Sequence, residues 1–110
     1  MSAIYRMNYS GRNGGAGGVI YLGHSAIAGA DQAGTVYEGS YVEENGRMRV
    51  SLNLTVPAGT KLASGKEVHQ ATVMPMTGEF PLNFANGQKL TMFIWGNPVN
   101  VAFEKIRDLP

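Results

Sequence analysis

The sequence predicts an all-β fold: one domain over residues 1–110, built as a small closed or nearly closed antiparallel β-barrel of about eight strands. Three observations point there. Apolar residues alternate with polar ones instead of recurring every three or four positions. Glycine, at 15 of 110 residues, is about twice its usual share and interrupts the alternating runs at short intervals. No window longer than about ten residues combines helical periodicity with freedom from Gly and Pro. Short antiparallel strands in a small domain must dispose of their edges, in a barrel or a sandwich. Gly39, between Tyr37 and Tyr41 inside a strand, marks the bend or close backbone approach of a small barrel and favours closure.

Each element follows from its own pattern. Ile4 to Tyr9 places Tyr5, Met7 and Tyr9 on one face of a strand. The glycine-rich run Ser10 to Gly18 reads as the mobile connection of a first hairpin, with Val19-Ile20-Tyr21-Leu22 as the strand after it. Gly34 to Val42 aligns Thr35, Tyr37, Gly39 and Tyr41 on one side and Val36, Glu38, Ser40 and Val42 on the other. The clearest strand is Gly46 to Pro57, where Met48, Val50, Leu52, Leu54 and Val56 alternate with Arg47, Arg49, Ser51, Asn53 and Thr55. Leu90 to Trp95 is apolar on both faces, which predicts burial on both or packing against another subunit. Val99, Val101 and Phe103 share a face. Glu44-Asn45-Gly46 and Ala85-Asn86-Gly87 each predict a hairpin, because both central residues of a type I′ turn need positive φ. Helix has little support: Lys61 to Ala71, the best candidate, contains Gly65 and has only Leu62 and Val68 as large apolar residues, so at most a helical turn is expected, at Phe103 to Leu109.

Composition excludes several classes of function. Nine basic residues against eight acidic ones leave a formal charge of +1, with no excess to hold a phosphate backbone, so direct DNA binding is not expected. Without cysteine there is no disulfide framework, thiolate nucleophile or Cys-based zinc site. No apolar run approaches the roughly 20 residues that span a bilayer, and the first residues lack a signal peptide's apolar stretch. We therefore expect a soluble, cytoplasmic protein with no membrane association.

Side chains that could carry chemistry are sparse. The glycine-rich run is followed by a strand rather than a helix and lacks Gly-Lys-Ser or Gly-Lys-Thr, so it does not read as a phosphate loop. His24 and His69 have no partner at metal-ligand spacing, and Ser25 beside His24 would face the opposite side of a strand, so neither a metal site nor a triad is expected. Glu43-Glu44 is the single acidic cluster, exposed at a hairpin tip: a solvated turn, or a small contact patch for a basic partner. Most aromatics and methionines must build the core. If the barrel is hollow, Tyr37, Tyr41, Met48, Val50 and Leu52 would line a pocket for an apolar ligand. No cofactor and no enzymatic activity are expected.

The stretch Ile27 to Tyr41 adds a resemblance. Ile27-x-Gly29-x-Asp31, a short gap, then Val36-Tyr37-x-Gly39 opening a strand, with an acidic turn and a long alternating strand after it, resembles the GrlR family of negative regulators of type III secretion genes. From the residues alone, Gly29 and Gly34 permit tight reversals and Asp31 can accept backbone N–H bonds in the turn. The resemblance implies a lipocalin-like barrel of eight strands, a homodimer, and repression by sequestering a helix-turn-helix transcriptional activator. The family's exposed four-residue acidic motif, tied to partner binding, falls on Glu43-Glu44-Asn45-Gly46, where the two glutamates keep the charge. The expected function is thus regulatory, through Glu43 and Glu44. The alternative is a lipocalin-like barrel that binds an apolar small molecule or lipid in its interior.

Overall fold

Alternation along the chain becomes eight strands in a computed structural model that describes residues 2–11, 14–60, 67–94 and 97–110. They are β1 (Ser2–Gly11), β2 (Gly14–Gly23), β3 (Ala26–Asp31), β4 (Val36–Glu44), β5 (Arg47–Val56), β6 (Thr72–Pro81), β7 (Leu90–Ile94) and β8 (Asn97–Leu109). Each pairs antiparallel with the next, and β8 pairs back with β1, so the sheet closes as a barrel in simple sequence order. Closure removes the two edges that an open sheet of this order would expose. Among the described residues there is no helix.

The two-residue period decides what lies inside. Along β5 every second residue, Met48 through Val56, is buried, and Arg47 through Thr55 are exposed. The faces predicted for Tyr5 and Met7, for Tyr37, and for Val99, Val101 and Phe103 also point inward. Met74, Met92 and Val56 are sealed in the middle, and the unbranched methionines fill gaps that branched side chains leave. Val68, 5% exposed, joins the core from the β5–β6 connection, held by backbone bonds to Gly59 and Thr60.

The turns divide the barrel into two ends. At the upper end, Asn45 (φ 53°) and Gly46 (φ 76°) join Glu44 to its partner Arg47, the two-residue hairpin that Asn-Gly predicts. His24 (φ 52°) and Ser25 (φ 66°) join β2 to β3 in the same way. They form a turn rather than opposite faces of a strand. The upper end also holds the β6–β7 loop, the start of β1 and the end of β8. The lower end carries the β3–β4 and β5–β6 connections.

Four further expectations are corrected, and one falls largely outside the described residues. Asn86-Gly87 does not form a tight turn: among the described residues β6 and β7 pair at Met76↔Ile94 and Thr77↔Phe93 alone, so an eight-residue loop, 82–89, spans the gap. There Asn86 bridges to Glu104, and Gly87 N–H donates to the Phe103 carbonyl at 3.1 Å. The glycine-rich run is not a loop either, because β2 begins at Gly14 and pairs along β1, as in Gly17↔Asn8 and Gly18↔Met7. Gly18 has a packing reason, since a Cβ there would come within 2.8 Å of the Asp31 Cα on β3. Arg12 and Asn13 lie outside the described residues. No helical turn forms at Phe103 to Leu109, because β1 needs a partner to close the barrel and β8 supplies it as far as Leu109. The register shifts between Ile4 and Tyr5, a bulge at Ile106 of β8 that breaks the two-residue period and leaves Ile106 exposed. The helix candidate Lys61 to Ala71 falls largely on 61–66, outside the described residues, and Glu67 beyond them forms a β-bridge. Finally, β7 is not buried on both faces within the chain: Met92 is inside and Phe93 is 52% exposed. Trp95 lies outside the described residues.

Candidate functional site

The upper end opens into a cleft of about 410 Å³. Its floor comes from the strands: Tyr5 on β1, Leu22 on β2, Tyr41 on β4 and Met48 on β5. One wall is the β6–β7 loop from Leu82 to Asn86, and Glu43 and Lys105 stand at the rim. The loop is seated by Phe84, whose ring lies 5.2 Å from Tyr5 and 5.4 Å from Phe103, within the range of favourable aromatic contacts. Apolar Phe84 between Asn83 and Asn86 in an otherwise largely polar loop was the available sign that this segment packs back onto the barrel.

Charge at the rim is unevenly matched. Lys105 Nζ lies 3.0 Å from Asp108, whose hydrogen bond and charge raise the lysine's pKa. Glu44 pairs with Arg49 at 2.8 Å, and Arg47 with Glu79 at 2.7 Å. Glu43 has no ion-pair partner among the described residues. Burial pushes the Tyr5 phenol above its ordinary range; Lys105 pulls it back, and Asp108, Tyr41 and Glu43 push it further up. The hydroxyl of Tyr5 is therefore acted on by Glu43, Lys105 and Asp108 together.

The lower end is organised by Asp31. Its Oδ1 accepts the N–H groups of Ala33 (2.9 Å) and Thr35 (3.1 Å), the turn role the sequence indicates. Its Oδ2 accepts the hydroxyls of Tyr9 and Tyr37, each at 2.8 Å. Burial first, and the hydrogen bond and charge of Asp31 next, raise the pKa of both phenols far above 10.0. Its four accepted bonds make the carboxylate a structural tie between the turn, β1 and β4.

The predicted pocket residues separate. Met48, Val50 and Leu52 face the barrel interior, where the remaining void is about 20 Å³, room for about one water molecule. Tyr41 lies at the upper cleft with Met48, whereas Tyr37 turns to Asp31 at the lower end. Glu43 and Glu44 are both exposed at the hairpin tip, Glu43 on the cleft and Glu44 turned to Arg49. Sequence reasoning missed Tyr5, Lys105 and the 82–86 wall as companions of Glu43, because they join through barrel closure. On the outer face a second depression runs over β4–β7, where Phe93 and Val42 are each about half exposed. Among the described residues, no three His, Asp or Glu converge as metal ligands, and no helix is long and apolar enough to cross a membrane. A scan against protein-family models finds no match to this chain, and a search of curated proteins finds none either.

Proposed function

We propose that the protein is a non-enzymatic regulatory module of the GrlR type, a cytoplasmic homodimer that restrains a helix-turn-helix activator by binding it rather than by binding DNA. The observation that supports this reading is the part played by the resembling motif. A Cβ at Gly29 would come within 2.9 Å of the Ile20 Cα, and one at Gly39 equally close to the Leu52 Cα, so both glycines serve close strand approach. Asp31 ties Tyr37, the motif's strand aromatic, to the turn. Each of these positions serves an eight-stranded closed barrel, the fold that the resemblance implies.

The contact surface in this reading is the β4–β5 tip. Glu43 and Glu44 are exposed there at the end of β4, beside the two-residue Asn45-Gly46 turn, and a formal charge of +1 on the chain offers nothing to attract DNA. Exposed carboxylates govern association rate and choice of partner more than affinity, which suits selection of a basic partner. The test is a pull-down from the source cells with the wild-type chain beside a Glu43→Lys, Glu44→Lys double variant, read by mass spectrometry. The expected result is a helix-turn-helix protein recovered by the wild type and lost by the variant. Recovery of nothing specific, or tight sequence-dependent DNA binding by the isolated chain in a gel shift, overturns the reading.

A further inference from the structure

We propose that the upper cleft is a binding site for a small organic cation, a protonated amine on an apolar body, with Glu43 as its counter-ion. The apolar body is called for by the lining. Leu22, Met48 and Phe84 present hydrocarbon and ring surface at the base, and Leu82 adds to the wall. At about 410 Å³ the cleft falls within the size range of small-molecule sites, unlike the filled interior below it.

The sign of the head group follows from the rim. Lys105 is matched by Asp108 at 3.0 Å, and Glu44 by Arg49 at 2.8 Å. Glu43 is left as the uncompensated charge among the described residues that line the cleft. Two tyrosine rings, Tyr5 and Tyr41, share the lining with it, and ring faces attract cations electrostatically. An anionic ligand would meet a free carboxylate and an ammonium already paired. A neutral ligand would gain the apolar contacts alone. A cation gains both, so the site discriminates by charge at equal size. This inference stands apart from the regulatory reading, because it concerns the isolated chain and needs no protein partner.

The test uses the purified full chain, isotope-labelled for NMR and titrated at neutral pH with phenethylamine, phenethyl alcohol and phenylpropionate. These share one apolar body under cationic, neutral and anionic heads. The expected result is saturable shifts at the amides of Glu43, Phe84 and Lys105. The amine should bind about fivefold more tightly than the alcohol, and the acid most weakly, as suits a half-exposed ion pair. Glu43→Gln should bring the amine down to the alcohol's affinity while leaving the alcohol unchanged. Leu82→Ala, in an exposed loop position that leaves the barrel core untouched, should weaken all three ligands. The proposal is overturned if no ligand shifts these amides at millimolar concentration. It is equally overturned if phenylpropionate binds as well as the amine, or if Glu43→Gln keeps the amine's advantage.

Discussion

Asp31 accepts four hydrogen bonds from three stretches of chain, and its removal is the most informative single change. Tyr37 is 4% exposed, so without Asp31 its buried hydroxyl loses its acceptor and is left with the neighbouring Tyr9 hydroxyl alone. Asp31→Ala should cost about 2–4 kcal/mol of stability in urea denaturation, and less in a Tyr37→Phe background, where only the hydroxyl of the less buried Tyr9 loses its acceptor. A loss below about 1 kcal/mol would mean that the tie is dispensable. The same measurements carried to alkaline pH add a sign. Both phenols have a folded pKa raised above the ordinary 10.0, so the fold favours their neutral forms. That contribution is complete below pH 10 and is lost as pH rises toward the folded values. Wild-type stability should fall steeply above pH 10 and that of Tyr9→Phe less steeply. The turn role of Asp31 was legible, because Asx turns are local. Its tyrosine partners were not, since they arrive from β1 and β4 through a register that spans the barrel.

At the scale of elements, the β4–β5 hairpin holds two glycines retained for different reasons. A Cβ at Gly39 would strike the Ser51 carbonyl oxygen and come within 2.9 Å of the Leu52 Cα, so β5 itself would have to move. Gly46 has nothing within 4 Å but sits at φ 76°. Gly39→Ala should therefore cost about 3 kcal/mol and broaden amide signals along β4 and β5. Gly46→Ala should cost about 1–2 kcal/mol, the ordinary penalty of left-handed backbone, with the sheet undisturbed. Equal losses measured by denaturation would contradict this division. Gly39 could be read from its place between two inward tyrosines. Asn86-Gly87 could not, because a tight turn requires the flanking strands to pair up to it, and β6 and β7 separate well before their loop.

For the whole molecule, fold class and closure were legible because one inward face had to be filled on every strand, and alternation along β5 and β8 reports that face directly. The upper cleft was not, since its walls come from β1, β2, β4, β5, β8 and a loop that meet only when the cylinder shuts. The proposed dimer belongs at this scale too. Phe93 and Val42 stand half exposed on the outside of β7 and β4, an apolar surface that a second copy would cover. Light scattering at micromolar concentration should return twice the 11.8 kDa chain mass, and Phe93→Lys should return the chain mass itself. A monomer mass for the wild type would remove the dimer.

Pairing of β1 with β8 also has a consequence in time. Ser2 donates its hydroxyl to the Leu109 carbonyl across 107 positions of sequence, so during synthesis β1 waits for its partner β8. At about 5–20 residues per second that wait is roughly 5 to 20 seconds. Throughout it, β1 offers an unsatisfied edge to any neighbouring nascent chain, so closeness of chains during synthesis is a condition under which this barrel is open to mispairing.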